Sequence, residues 1–88
     1  MPNPEPEIRY IAANIRRQRR KLGMTQAELA EAAQLSIRAL SEIENGVVDL
    51  SVSTLCRIAR AMKVQPAVLL RKAALIKPPV GRPRKRKT

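Results

Sequence analysis

The side chains able to do chemistry in this chain are overwhelmingly cationic. Over 88 residues, 18 Lys and Arg stand against 7 Asp and Glu, a formal net charge of +11. Most gather in two runs. Arg16, Arg17, Arg19, Arg20 and Lys21 form one; Lys77, Arg82, Arg84, Lys85, Arg86 and Lys87 form the other. Guanidinium and ammonium groups at this density bind polyanions, nucleic acid above all and anionic membrane less often. Solubility alone asks for a net charge of only about 2–8 on a small domain. The first run can serve either as a solvated helix face or as a source of phosphate contacts.

The other reactive residue types are scarce. There is no His, which removes the commonest general base and metal ligand. A single cysteine, Cys56, permits neither an internal disulfide nor a multi-cysteine zinc site. It falls on the apolar rhythm of a predicted helix, which favours packing over reactivity. No catalytic carboxylate pair, phosphate loop or metal cluster stands out, so neither an enzyme nor a cofactor is expected. One Tyr, with no Trp or Phe, argues against modules that stack unpaired bases on aromatic faces. No apolar run approaches the roughly 18 residues of a membrane span. The first residues lack the apolar segment of a secretory signal, and a cytoplasmic location is expected.

Cationic side chains need a scaffold, and the stretch Thr25–Gly46 organises it. Thr25 can N-cap a short helix, with Glu28 completing a capping box. Ala27, Leu29, Ala30 and Ala33 then follow helical spacing. Gln34-Leu35 breaks the period. Ser36 can cap a second helix, with Leu40 and Ile43 facing inward. Asn45-Gly46 stops it, Gly46 being placed for a left-handed cap. Helices this short need a surrounding bundle to bury their faces.

The flanks supply one. Residues 1–7, alternating Pro with polar residues, read as an extended N-terminal arm. A helix over Ile8–Leu22 places Ile8, Ile11, Ala12, Ile15 and Leu22 on one face, and its C-terminal cations suit the helix dipole. Gly23 ends it. Val47-Val48 lie on a loop, either for a partner or for packing against the next helix. Asp49 or Ser51 can cap that helix, with Val52, Leu55, Ile58, Ala59 and Met62 inward. Pro66 suits the first position of a last helix running to about Ile76. That helix is more apolar than one packing face requires. Leu69, Ala73 and Ile76 are predicted to remain exposed and to form a dimer surface. Residues 77–88 are basic, Pro-rich and without periodicity, hence a disordered tail. Gly81-Arg82-Pro83 resembles the core of an AT-hook, but Val80 stands where hooks carry Arg. A tail that binds phosphates without sequence preference, through Arg82, Arg84, Lys85, Arg86 and Lys87, is the better reading. The chain thus divides into an arm (1–7), an all-α domain (8–76) and a tail (77–88).

Residues from about Ile11 to Leu70 resemble the Cro/cI-type, or Xre-type, helix-turn-helix family. The resemblance is carried by Ile11, Ile15, Arg16 and Arg19, then Gly23-Met24-Thr25-Gln26 and Glu28-Leu29-Ala30. Leu35-Ser36, Leu40-Ser41, Ile43-Glu44-Asn45-Gly46, Thr54-Leu55, Ile58-Ala59 and Met62 complete it. It implies a five-helix, lambda-repressor-like domain whose third helix enters the DNA major groove. Position by position, Ile37, Arg38, Ser41 and Glu42 are then expected to face bases. Gln26 and Asn45 match positions that contact phosphates, and Ser36 at the helix cap, with Arg16 and Arg17 of the first basic run, is expected to contact phosphates as well. Arg19 and Glu44 match a structural ion pair. Arg38 has the chemistry to pair bidentately with guanine, and Glu42 to accept from cytosine N4. Ile37 can press on a thymine methyl or pack inward. Gln34 and Lys63 stand where relatives have Gly; a left-handed backbone at either costs about 1 kcal/mol.

The leading expectation is a homodimeric repressor that reads a palindrome in double-stranded DNA, two recognition helices lying about 34 Å apart. An antitoxin with a toxin partner, or an architectural protein dominated by its tail, are the competing readings.

Overall fold

In the computed structural model, which describes residues 5–72, the chain forms five helices and no strand. The first, α1 (Pro6–Lys21), begins two residues before the expected Ile8. Pro6 sits in its first turn, where a missing N–H costs nothing and φ is already helical. Residues 6 and 7 therefore belong to the helix and not to the arm. Glu7 at one end and Arg19, Arg20 and Lys21 at the other complement the dipole. Leu22, expected inward, is 48% exposed, because it is the C-cap and lies past the last helical turn. Gly23 follows at φ +71°.

Three serine or threonine caps set the next starts. Before α2 (Gln26–Ala32), the Glu28 amide donates to Thr25 Oγ1 at 3.0 Å and the Thr25 amide to Glu28 Oε1 at 2.8 Å. Before α3 (Ile37–Glu44), Ser36 Oγ accepts from the Ala39 amide at 2.9 Å. Before α4 (Val52–Ala61), Ser51 Oγ accepts from the Thr54 amide at 3.0 Å. Asp49, the other candidate cap there, instead accepts from the Leu50 amide at 2.8 Å. Each such cap is worth about 1 kcal/mol.

The fifth helix, α5 (Pro66–Leu69), is a single turn, where a run to about Ile76 was expected. Its end is tied to α1. Asn14 is buried, and its Nδ2 donates to Leu69 O at 2.9 Å and to Arg71 O at 2.7 Å. The Leu69 carbonyl, at the last residue of α5, accepts from this side chain. Residues 73–76 lie outside the described residues.

The helices close around one core. α1 packs on α3 and α5, α2 on α3 and α4, and α4 on α5. Ile15, Leu29, Leu40, Ile58, Met62 and Leu69 are fully buried at the centre. The inward stripe of α4 holds at Leu55, Ile58, Ala59 and Met62, but Val52 is 75% exposed: it is the first residue of the helix, and no neighbouring element covers it. Ala27 is likewise exposed, in the first turn of α2. Cys56 is a half-buried free thiol. Val47 and Val48 divide, the first exposed and the second packed against the core.

Both Gly-less turns adopt the left-handed backbone, Gln34 at φ 62° and Lys63 at φ 60°. Gln34→Gly is expected to raise stability by about 0.5–1 kcal/mol, since a β-carbon is what makes that region costly. Urea denaturation of the two proteins checks the sign; a loss of stability overturns the expectation.

Candidate nucleic-acid interface

The α3 helix divides sharply into two faces. Leu40, Ile43 and Glu44 are buried against the bundle, while Ile37, Arg38, Ser41 and Glu42 form the opposite strip at i, i+1, i+4 and i+5. Ile37 is 54% exposed, so it is not a core residue; packing is excluded for it. The Arg38 side chain is 88% exposed, and its Nε lies 3.5 Å from Glu42 Oε2. This pair aligns Arg38 along the helix surface, and at this exposure it adds no more than about 0.5 kcal/mol.

What aims that face outward is a carboxylate at the other end of the same helix. Glu44 is 1% exposed. Its Oε2 accepts from Arg19 Nε at 2.7 Å, and its Oε1 from the Arg19 terminal nitrogen at 3.0 Å. Oε1 also accepts from Gln26 Nε2 at 3.1 Å. Arg19 uses its remaining nitrogen on Met24 O at 2.8 Å. The backbone carbonyl of Glu44 accepts from Arg16. One residue of α3 is thus held by α1 and by the first residue of α2. Paired, fork-like arginine–carboxylate bonds are among the strongest polar contacts and fix direction as well as distance.

Three of the residues expected at phosphates lie at helix ends beside this strip. Gln26 opens α2, Ser36 caps α3 and Asn45 closes it. Gln26 keeps one amide hydrogen beyond its bond to Glu44. Ser36 Oγ accepts from the Ala39 amide, so its hydroxyl hydrogen stays available. Arg17 is exposed. Arg16, half-buried, has part of its guanidinium committed to the Glu44 carbonyl, a structural duty that spacing did not indicate. Leu69, expected on an exposed dimer stripe, is fully buried in the core, because α5 is one turn long and turns that residue onto α1 and α4. Ala73 and Ile76, the rest of that stripe, lie outside the described residues, as do Arg82, Arg84, Lys85, Arg86 and Lys87.

Asn14 was not singled out from sequence. The available signal was a polar residue between Ile11 and Ile15 on an apolar face, since a buried amide has to find partners. No helix among the described residues is long and apolar enough to cross a membrane.

Comparison with known proteins agrees with this geometry. A helix-turn-helix family model, HTH_3, matches residues 15–69. Among solved structures, the clp gene regulator ClgR from Corynebacterium glutamicum is 33% identical, with 72% of this chain and 82% of that one covered at a TM-score of 0.69. A hypothetical transcription factor, NHTF, from Neisseria is 26% identical, with 82% and 85% covered at 0.73. The restriction-modification controller protein C.AhdI from Aeromonas hydrophila, 22% identical, shares the fold over 74% of this chain and 98% of its own at 0.71. No protein of curated function matches the sequence. With capped α2 and α3 meeting at the Glu44 carboxylate and the family match spanning them, the chain belongs to the HTH_3 helix-turn-helix family, the Xre or Cro/cI type of DNA-binding transcription regulator.

Proposed function

We propose that the protein is a sequence-specific regulator of transcription, a dimeric repressor that inserts α3 into the major groove of a palindromic operator. The observation that carries this reading is the outward strip of α3, with Ile37 and Arg38 exposed and Ser41 and Glu42 half-buried, on a helix pinned from behind by Glu44. A major groove about 12 Å wide admits one helix. Arg38 donates to guanine O6 and N7, Glu42 accepts from cytosine N4, Ser41 reaches a neighbouring edge, and Ile37 meets a thymine methyl. Gln26, Ser36, Asn45 and Arg17 hold phosphates on either side, with the free part of Arg16 beside them. Gln26 and Ser36 gain from the positive helix ends at which they sit. ClgR is a gene regulator, and its likeness to this chain supports the assignment.

Two copies present their recognition helices to half-sites one turn apart. The tail, through Arg82 to Lys87, adds phosphate contacts without sequence preference. The protein works on DNA in the cytoplasm. Selection of bound sequences from a random duplex library tests the reading. The expected result is a motif of two inverted halves; enrichment of no motif is the result that overturns it.

A further inference from the structure

The end of α3 is flanked by an arginine that none of the roles above uses. Gly46, the residue after the Asn45 cap, has φ +71°, and a Cβ built there lies 3.5 Å from Ala12 Cβ and 3.8 Å from both Cα and Cγ of Arg9. The aliphatic stem of Arg9 therefore lies against the turn that ends α3. Arg9 is exposed, and among the described residues its guanidinium has no ion-pair partner. Arg16 follows seven residues later, two turns along the same line of α1 and about 10 Å away at 1.5 Å per residue. It donates to the Glu44 carbonyl. Two arginine stems thus border the carboxyl end of α3, one on its last helical residue and one on its terminating turn.

The electrostatics there need such a border. The carboxyl end of a helix carries about half a negative charge and repels phosphate. Asn45, exposed at that end, is neutral. Asp49 adds a negative charge a few residues on. Arg16 spends part of its guanidinium within the protein, whereas Arg9 has spent none among the described residues.

We propose that Arg9 is a phosphate-binding residue of the DNA interface, holding the duplex backbone at the carboxyl end of α3 beside Asn45. The inference rests on the reading of α3 as the groove helix and extends the interface onto the first turns of α1. Such a contact positions the domain and carries no sequence information.

The test uses the full chain, its selected duplex and an unrelated duplex, with affinity measured between about 50 and 200 mM salt. Arg9→Gln keeps the stem and removes the charge. Its log–log salt slope is expected to be shallower by about 0.9, the loss of one phosphate contact, by the same amount on both duplexes. Arg9→Lys is expected to restore the slope. Arg60→Gln removes an equal charge from the exposed last turn of α4 and is expected to leave the slope unchanged. Equal slopes for wild type and Arg9→Gln, or an equal loss in Arg60→Gln, overturn the assignment while the reading of α3 stands. Failure of the wild type to bind either duplex overturns both.

Discussion

Replacing Glu44 by alanine is expected to cost about 3–5 kcal/mol of folding free energy, a large part of the roughly 5–15 kcal/mol that holds a domain together. The reason is what the substitution leaves behind. Arg19 is only 11% exposed, and without the carboxylate two of its nitrogens face an interior with no acceptor. Gln26 Nε2 loses its partner as well. An uncompensated buried charge is far costlier than the intact pair is stabilising. Removing the other half of the pair is therefore expected to help. The double substitution Glu44→Ala with Arg19→Met should be more stable than Glu44→Ala alone, because an apolar filling of similar volume replaces an orphaned guanidinium. Urea denaturation of the wild type, the two single variants and the double variant gives the coupling directly. A loss below about 1 kcal/mol in Glu44→Ala would show that this network does not hold α3 in place, and the account of how the outward strip is aimed would fail with it.

How much of this could be read without coordinates depends on how far along the chain each partner lies. The caps at Thr25 and Ser36 were legible because donor and acceptor sit within three residues, whereas for α4 the sequence offered Asp49 and Ser51 alike and the structure uses Ser51. The inward stripe of α4 was legible for the same reason: Leu55, Ile58, Ala59 and Met62 obey the helix's own period. The Arg19–Glu44 pair spans 25 residues; no local pattern announces it, and only the family resemblance suggested it. Asn14 and the Leu69 carbonyl are 55 residues apart, and with that bond unseen α5 was expected to be too long and Leu69 to be exposed. Arg16 and Arg17 look alike in sequence, yet one is tied to Glu44 and the other is exposed. Periodicity says which face turns inward; it does not say which carbonyl a long side chain will find. The outward strip of α3 was placed by resemblance, and its exposure follows from Leu40, Ile43 and Glu44 occupying the opposite side.

Arg38→Ala is expected to abolish preference at one base pair in each half-site and to change affinity for unrelated duplex little. A good bidentate contact discriminates by about 1–3 kcal/mol, roughly 5- to 150-fold at 1.4 kcal/mol per factor of ten. Its geometry makes the residue suited to this. The Arg38 side chain is 88% exposed and makes only the long 3.5 Å contact to Glu42, so it can turn to a base edge at little cost. Arg38→Lys is expected to recover little of the preference, because an ammonium cannot reproduce the planar fork. Glu42→Ala separates the neighbour's part. If Glu42 reads a cytosine, its loss relaxes an adjacent base pair; if it only steadies Arg38, its loss weakens the same base pair that Arg38 reads. Comparing enriched motifs for the three variants with that of the wild type distinguishes these. A uniform fall in affinity across all sequences, with a salt slope shallower by about 0.9, would place Arg38 on a phosphate and require a different residue of α3 to do the reading.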